Sequence, residues 1–214
     1  MVGRFTYLDE IRRLDPERDH QRIAFLDACY EFPWDTTRAL EFALFRTFGV
    51  AKGSALLAGT GEFTERPQTR YDDTVLMLSE MLEHGYDSER GRAAMRQMNR
   101  LHGRYAIPND EFLYVLSTFV FEPIRWNARF GWRPLIAQEK LAAFYFWREI
   151  GRRMNIKQLP PDIATFEQFN LEYEHEHFRY AESNERLATV TRDMFLGWFL
   201  PRRLRRLGEP AIYA

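Results

Sequence analysis

RYDDTVLMLSEMLEHGYDSERGRAAMRQMNRLHGRY, residues 70–105, reads as two helices joined by a tight turn, and the fold class is decided by it. The first helix follows a polar cluster of Arg70, Asp72, Asp73 and Thr74, in which either aspartate is expected to cap the orphan N–H groups. It then runs apolar through Val75, Leu76, Met77, Leu78, Met81 and Leu82 to a stop at Gly85. The second helix is capped by Asp87 or Ser88. Its positions Gly91, Met95, Met98, His102 and Tyr105 fall at spacings of 4, 3, 4 and 3, which is one helical stripe. His102 therefore shares an inward face with two methionines near the helix end. An imidazole there is either a core residue bonded to a carbonyl or a ligand to a metal centre.

Working outward, the same helical periodicity recurs on both sides. Asp15-Pro16 begins a helix expected to reach about Tyr30 and to bury Ile23, Leu26 and either Ala28 or Tyr30. Asp35 or Thr36 caps the next, through Leu40, Ala43, Leu44 and Thr47, and Ser54–Ala58 is expected to hold a single turn. FLYVLSTFVF, residues 112–121, is apolar on nearly every side, as a helix in the middle of a domain would be, and Glu122-Pro123 should end it. IRWNARFGWR then reads as a short helix of its own, and Pro134 opens a long one. Asp162 and Asn184 are expected to cap the last two helices. No sustained alternation or hairpin signal occurs, so the expectation is an all-α fold of roughly nine helices in a single domain, 1–214.

Composition narrows the function. The net charge of -1 gives no basic field for sequence-independent nucleic-acid binding. Cys29 is the only cysteine, which excludes an intrachain disulfide and a cysteine-rich metal site. No uninterrupted apolar run approaches the ~18 residues of a membrane span, and the charged N-terminus has no signal-peptide core. The expected location is the cytoplasm or the periphery of a membrane. The run PRRLRRL at 201–207 is either a solvated face or a weak contact for an anionic membrane. Eighteen Phe, 10 Tyr and 5 Trp would suit a chain enclosing a large apolar ligand, or simply an aromatic core.

Phosphate-binding loops, serine-hydrolase elbows and zinc-protease motifs are absent. EYEHEH at 172–177 holds two E-x-x-H pairs, Glu172/His175 and Glu174/His177, but a di-iron bundle needs such a pair on a second helix, and there is none. Arg70, Asp73 and Thr74 are either ordinary capping groups or the charged mouth of a pocket in which Asp73 handles protons.

With those residues laid out, the sequence resembles the MpaB-type oxygenases, which share a catalytic domain with the rubber oxygenases called latex-clearing proteins. The resemblance is carried by YEFPWDTTRALEFALFRTF at 30–48, LLAGTGEF at 56–63, RYDDT at 70–74 and MNRLHGRYAIPNDEFLYVLSTFVFEPIRW at 98–126. It continues in FGWR at 130–133, FWREIGRRMNI at 146–156, EYE at 172–174 and FRYAESN at 178–184. It implies a helical, globin-like core around a b-type haem, and O₂-dependent cleavage of a carbon–carbon double bond in an isoprenoid chain. His102 matches the axial histidine, and Arg70 and Thr74 match the Arg and Thr of an R-x-x-K-T motif. Asp73 stands where rubber oxygenases carry the lysine, which points to the MpaB-like branch. Family members usually extend further at the C-terminus, so a C-terminally truncated chain is expected. The partners implied are O₂ and a hydrophobic isoprenoid-type substrate. The competing readings are a catalytically silent helical module that binds a lipid or a protein, and a di-iron oxidase using Glu172, Glu174, His175 and His177.

Overall fold

The computed structural model describes residues 3–205. Among them lie eleven α-helices: α1 (Thr6–Ile11), α2 (His20–Leu26), α3 (Pro33–Thr47), α4 (Ala51–Gly59), α5 (Glu62–Glu65), α6 (Pro67–His84), α7 (Glu89–His102), α8 (Asn109–Arg129), α9 (Ala137–Arg153), α10 (Ile163–His177) and α11 (Glu182–Phe199). A π-helical turn, Asp27–Glu31, joins α2 to α3, and a 3₁₀ turn, Arg202–Leu204, follows α11. No strand occurs among the described residues, only an isolated bridge between Val50 and Phe178. The fold is all-α. Arg206 and Leu207 of the basic run lie outside the described residues.

The chain divides into two compact units, one of Met1–Leu44 and Leu76–Tyr173, the other of Phe45–Val75 and Glu174–Ala214. The first unit is organised on α8, which is buried almost continuously from Leu113 to Glu122, as its all-round apolar sequence demands. Its polar side chains are satisfied locally. Ser117 Oγ donates to the Tyr114 carbonyl at 2.5 Å, Thr118 Oγ1 donates to the Val115 carbonyl at 2.7 Å, and Asn170 Nδ2 donates to Ser117 Oγ at 2.9 Å. Around α8 pack Met81, Met95, Met98, Phe144, Phe146, Trp147 and Phe166. The rings interlock, with Phe119 stacked on Trp147 at 4.7 Å between centroids.

Pro123 does not end this helix. The proline removes one backbone bond, at a cost of about 3 kcal/mol. Phe119, Val120 and Phe121 before it are buried, each contributing about 1.5–3 kcal/mol, and burial wins. The segment expected as a separate short helix is therefore the last turns of α8, where Asn127 Nδ2 donates to the Pro123 carbonyl at 2.9 Å.

Other helix starts also differ from the sequence reading. Asp15 closes a turn, its Oδ1 accepting the N–H groups of Glu17 and Arg18 at 2.9 Å, and the helix begins only at His20. Ile23 and Leu26 are buried as expected, while Tyr30 is exposed. The helix holding Leu40 and Ala43 opens at Pro33, so neither Asp35 nor Thr36 caps it. α6 opens at Pro67, where a missing N–H costs nothing, which places Asp72 and Asp73 inside the helix rather than at its cap. Asn184 lies inside α11, while Asp162 does cap α10, its Oδ1 accepting the Thr165 N–H at 2.8 Å.

In the second unit α4 is a full helix rather than one turn, and it packs along α11. Ser54 Oγ, fully buried, bonds to Ser183 Oγ at 2.8 Å and donates to Asn184 Oδ1. Arg46 grips the Glu174 carboxylate with two bonds of 2.6 and 2.5 Å. Tyr71, Phe195 and Trp198 form an aromatic cluster.

The turn that opens α7 matches its sequence. Gly85 has φ of 77°, a left-handed conformation that glycine adopts at no steric cost, and Ser88 Oγ accepts the Gly91 N–H at 2.9 Å. Gly91 is buried so tightly beneath the turn that an added Cβ would lie 2.1 Å from the Gly85 carbonyl oxygen. Backbone cannot yield there as a flexible side chain can. Gly91→Ala should destabilise the protein by about 1–3 kcal/mol, roughly 2–4 °C of melting temperature per kcal/mol, measured by thermal denaturation. Gly59→Ala, where a Cβ meets nothing within 4 Å, is the control and should not destabilise.

Candidate active site

The stripe read from the sequence is the buried face of α7. Gly91, Met95 and Met98 are buried, and His102 is the last residue of the helix, half-buried, with its Nδ1 atom inside the protein. Its ring meets Phe112 edge-on at 5.4 Å. Tyr105 departs from the stripe because the helix has ended, and it is exposed.

Arg70 and Thr74 belong to the second unit and are brought together by one helical turn of α6. Arg70 Nη1 donates to Thr74 Oγ1, which donates to the Arg70 carbonyl at 3.1 Å, and the guanidinium lies over the Phe63 ring at 5.1 Å. Stacking and bonding hold a half-buried cation in one orientation, suited to an anionic group such as a carboxylate. Asp73 is exposed on the same helix.

EYEHEH does not form a metal centre. Glu174 is the buried partner of Arg46, while Glu172, His175 and His177 are exposed. Among the described residues no three His, Cys, Asp or Glu side chains gather into a set able to hold a metal ion. The EYEHEH residues therefore do not assemble a di-iron site. His102 is a single imidazole donor, so any metal group it held would have to bring its other ligands with it, as a porphyrin does. The aromatic content serves the core here, with Phe119, Phe121, Phe144 and Phe146 all buried in one cluster.

A second constellation, missed by sequence reading, lies in the first unit. Arg133 bonds Glu139 with both terminal nitrogens, at 2.8 and 2.6 Å, and reaches Glu31 at 2.6 Å. Glu139 is completely buried, and its Oε2 also accepts the Ile136 N–H at 2.7 Å, capping α9. Burial alone would lower the Arg133 pKa, but the bonds to Glu139 and Glu31 outweigh it and raise it. Asp27 joins them from the π-turn. Burial holds its carboxyl well above the usual range, reinforced by the charge of Glu139 and a hydrogen bond to it. The only signals were FGWR and a Glu three residues after Ile136; the π-turn that delivers Asp27 and Glu31 has no sequence signature. Asp27, Asn127, Phe119, Pro123 and Trp147 line a cleft of about 60 Å³, room for a few waters but far below the ~300 Å³ of a usual ligand pocket.

Because the folded state holds Asp27's proton more tightly than the unfolded chain, this group supports folding below about 3.9, its unperturbed value. That support is lost as pH rises through the raised folded-state value. Asp27→Asn, which keeps a neutral donor, should therefore gain stability over the parent progressively as pH increases from about 4 to 8. Melting temperatures across that range check it. A constant or shrinking difference contradicts the assignment.

A family model described as ER-bound oxygenase mpaB/B′/Rubber oxygenase, catalytic domain, matches residues 47–214. The ER-bound oxygenase mpaB of Penicillium roqueforti (strain FM164) is 37% identical over 133 residues, 59% of this chain and 44% of that protein. The ER-bound oxygenases mpaB and mpaB′ of Penicillium brevicompactum are each 35% identical over 133 residues, covering 59% of this chain and 34% and 31% of those proteins. The matched stretch thus spans less than half the length of these relatives. The family match includes Arg70, Asp73, Thr74, His102 and the Arg133–Glu139 pair, and it extends over most of the sequence. The chain belongs to the family of mpaB and rubber oxygenase catalytic domains.

Proposed function

We propose that the chain is the catalytic part of a haem-dependent oxygenase that cleaves a carbon–carbon double bond of a hydrophobic, isoprenoid-type substrate with O₂. The observation that carries this reading is the family match across α6 and α7, joined to an imidazole at the end of a Met-lined helix face. When bound, haem would supply the redox centre at which O₂ is activated. His102 would hold its iron, with Nδ1 lying on the buried side of the ring. Arg70, oriented by Thr74 and Phe63, would bind the propionates or shape the pocket wall. Asp73 would serve as a base or hydrogen-bond partner to the substrate.

No described helix is long and apolar enough to cross a membrane. The matched relatives are named ER-bound, and we infer that this chain meets a membrane surface peripherally, where a hydrophobic substrate would partition.

The test is O₂ uptake with carbonyl products analysed by mass spectrometry, using haem-loaded protein and prenyl alcohols of increasing length. Asp73→Asn should lower kcat by about 10²-fold or more if it moves a proton, leaving haem content unchanged. Arg70→Ala should lower haem occupancy. Haem-loaded protein that consumes no O₂ with any prenyl compound contradicts the reaction.

A further inference from the structure

Large aromatic side chains belong in the core unless something covers them. In the first unit Phe5, Tyr30, Trp34, Phe42, Phe130 and Trp132 are exposed, from 39% at Trp132 to 60% at Trp34. Most come from two short segments, 30–34 and 126–132, and they form continuous clusters. Trp126 is the hub of one, with ring centroids 6.1 Å from Trp34, 5.4 Å from Phe42 and 4.8 Å from Phe130. Trp132 is the hub of the other, 6.1 Å from Phe5 and 6.0 Å from Phe32.

Arginines lie over several of these rings. Arg38 lies over Trp34 at 5.6 Å, Arg129 over Phe130 at 5.0 Å, and Arg4 over Phe5 and Trp132 at 5.7 and 5.0 Å. The acids of the same segments are turned away from solvent or engaged. Glu31 is buried on Arg133, Glu41 is buried and bonded to Arg38, and Asp35 accepts the Trp126 Nε1–H at 2.9 Å. Outward, the face is tryptophan, phenylalanine and arginine. Amphipathic aromatic rings settle at the headgroup level of a bilayer, and arginines beside them are attracted to anionic lipid. A face of this composition is suited to contact at a membrane surface.

We propose that this aromatic–arginine face docks the protein on an anionic lipid bilayer, the rings entering the headgroup region and Arg4 and Arg129 meeting lipid phosphates. This rests on the inferred peripheral association and names the surface that makes it; it is independent of the haem chemistry.

The experiment is co-sedimentation of the full chain with vesicles of phosphatidylcholine containing roughly one-third phosphatidylserine, compared with phosphatidylcholine alone. Three variants are measured beside it: Trp34→Ser with Phe130→Ser; Arg4→Glu with Arg129→Glu; and Arg202→Ala, Arg203→Ala, Arg205→Ala in the tail. All these positions are exposed except Arg205, which is half-buried, and circular dichroism checks that each variant folds. The parent should bind the anionic vesicles. The aromatic variant should lose about tenfold or more in partitioning, and the arginine variant at least about fivefold, on anionic vesicles only. The tail variant should bind as the parent does. Binding lost only in the tail variant overturns the face while leaving peripheral association standing. No binding by the parent overturns both, and haem loading and turnover then test the oxygenase reading separately. A dimer that the aromatic variant converts to monomer, without vesicle binding, assigns the face to a second copy of the chain instead.

Discussion

The buried clasp of Arg133 on Glu139 and Glu31 is the constraint on which most of the first unit depends. A guanidinium with two carboxylates out of water is costly unless its geometry is good, and here paired bonds of 2.6–2.8 Å supply it. The clasp joins the residues that follow α8, the first turn of α9 and the π-turn before α3. Glu139 does double duty as the capping group of α9, so the position of that helix's core rings is tied to the ion pair. Removing Arg133 would strand two buried carboxylates beside Asp27, a loss of about 3–5 kcal/mol by comparison with other broken buried pairs.

The same clasp shapes the surface. Arg133 stacks over Phe32 at 4.7 Å and Trp132 at 5.1 Å, and Trp132 Nε1 donates to the Glu31 carbonyl at 3.1 Å. The two segments that carry the exposed aromatic face are thereby anchored from beneath. A wet outer surface of rings rests on a dry ionic base, so those rings cannot simply fold inward.

Much of the architecture was legible because burial writes a period into sequence. The α7 stripe, its Ser88 cap, the Gly85 turn and the all-round burial of α8 follow from spacing and turn chemistry. The errors fell where local preference and tertiary packing disagree. Pro123 is a helix breaker by propensity but is overridden by the buried residues around it. Asp72 and Asp73 resemble caps, yet Pro67 had already started the helix. The site was half legible. His102 and the Arg70–Thr74 pair stand out by pattern and resemblance, whereas Asp27 and Glu31 are delivered by a π-turn, whose extra residue per turn breaks the periodicity on which such reading relies.

The functional account turns on whether His102 holds a haem. The most direct measurement is the visible absorption spectrum of protein produced with ample haem precursor, beside His102→Ala. The account predicts a Soret band that shifts on reduction with dithionite and is lost or displaced in the variant. Folded parent protein with no Soret band, or a spectrum indifferent to removal of the His102 imidazole, would contradict it.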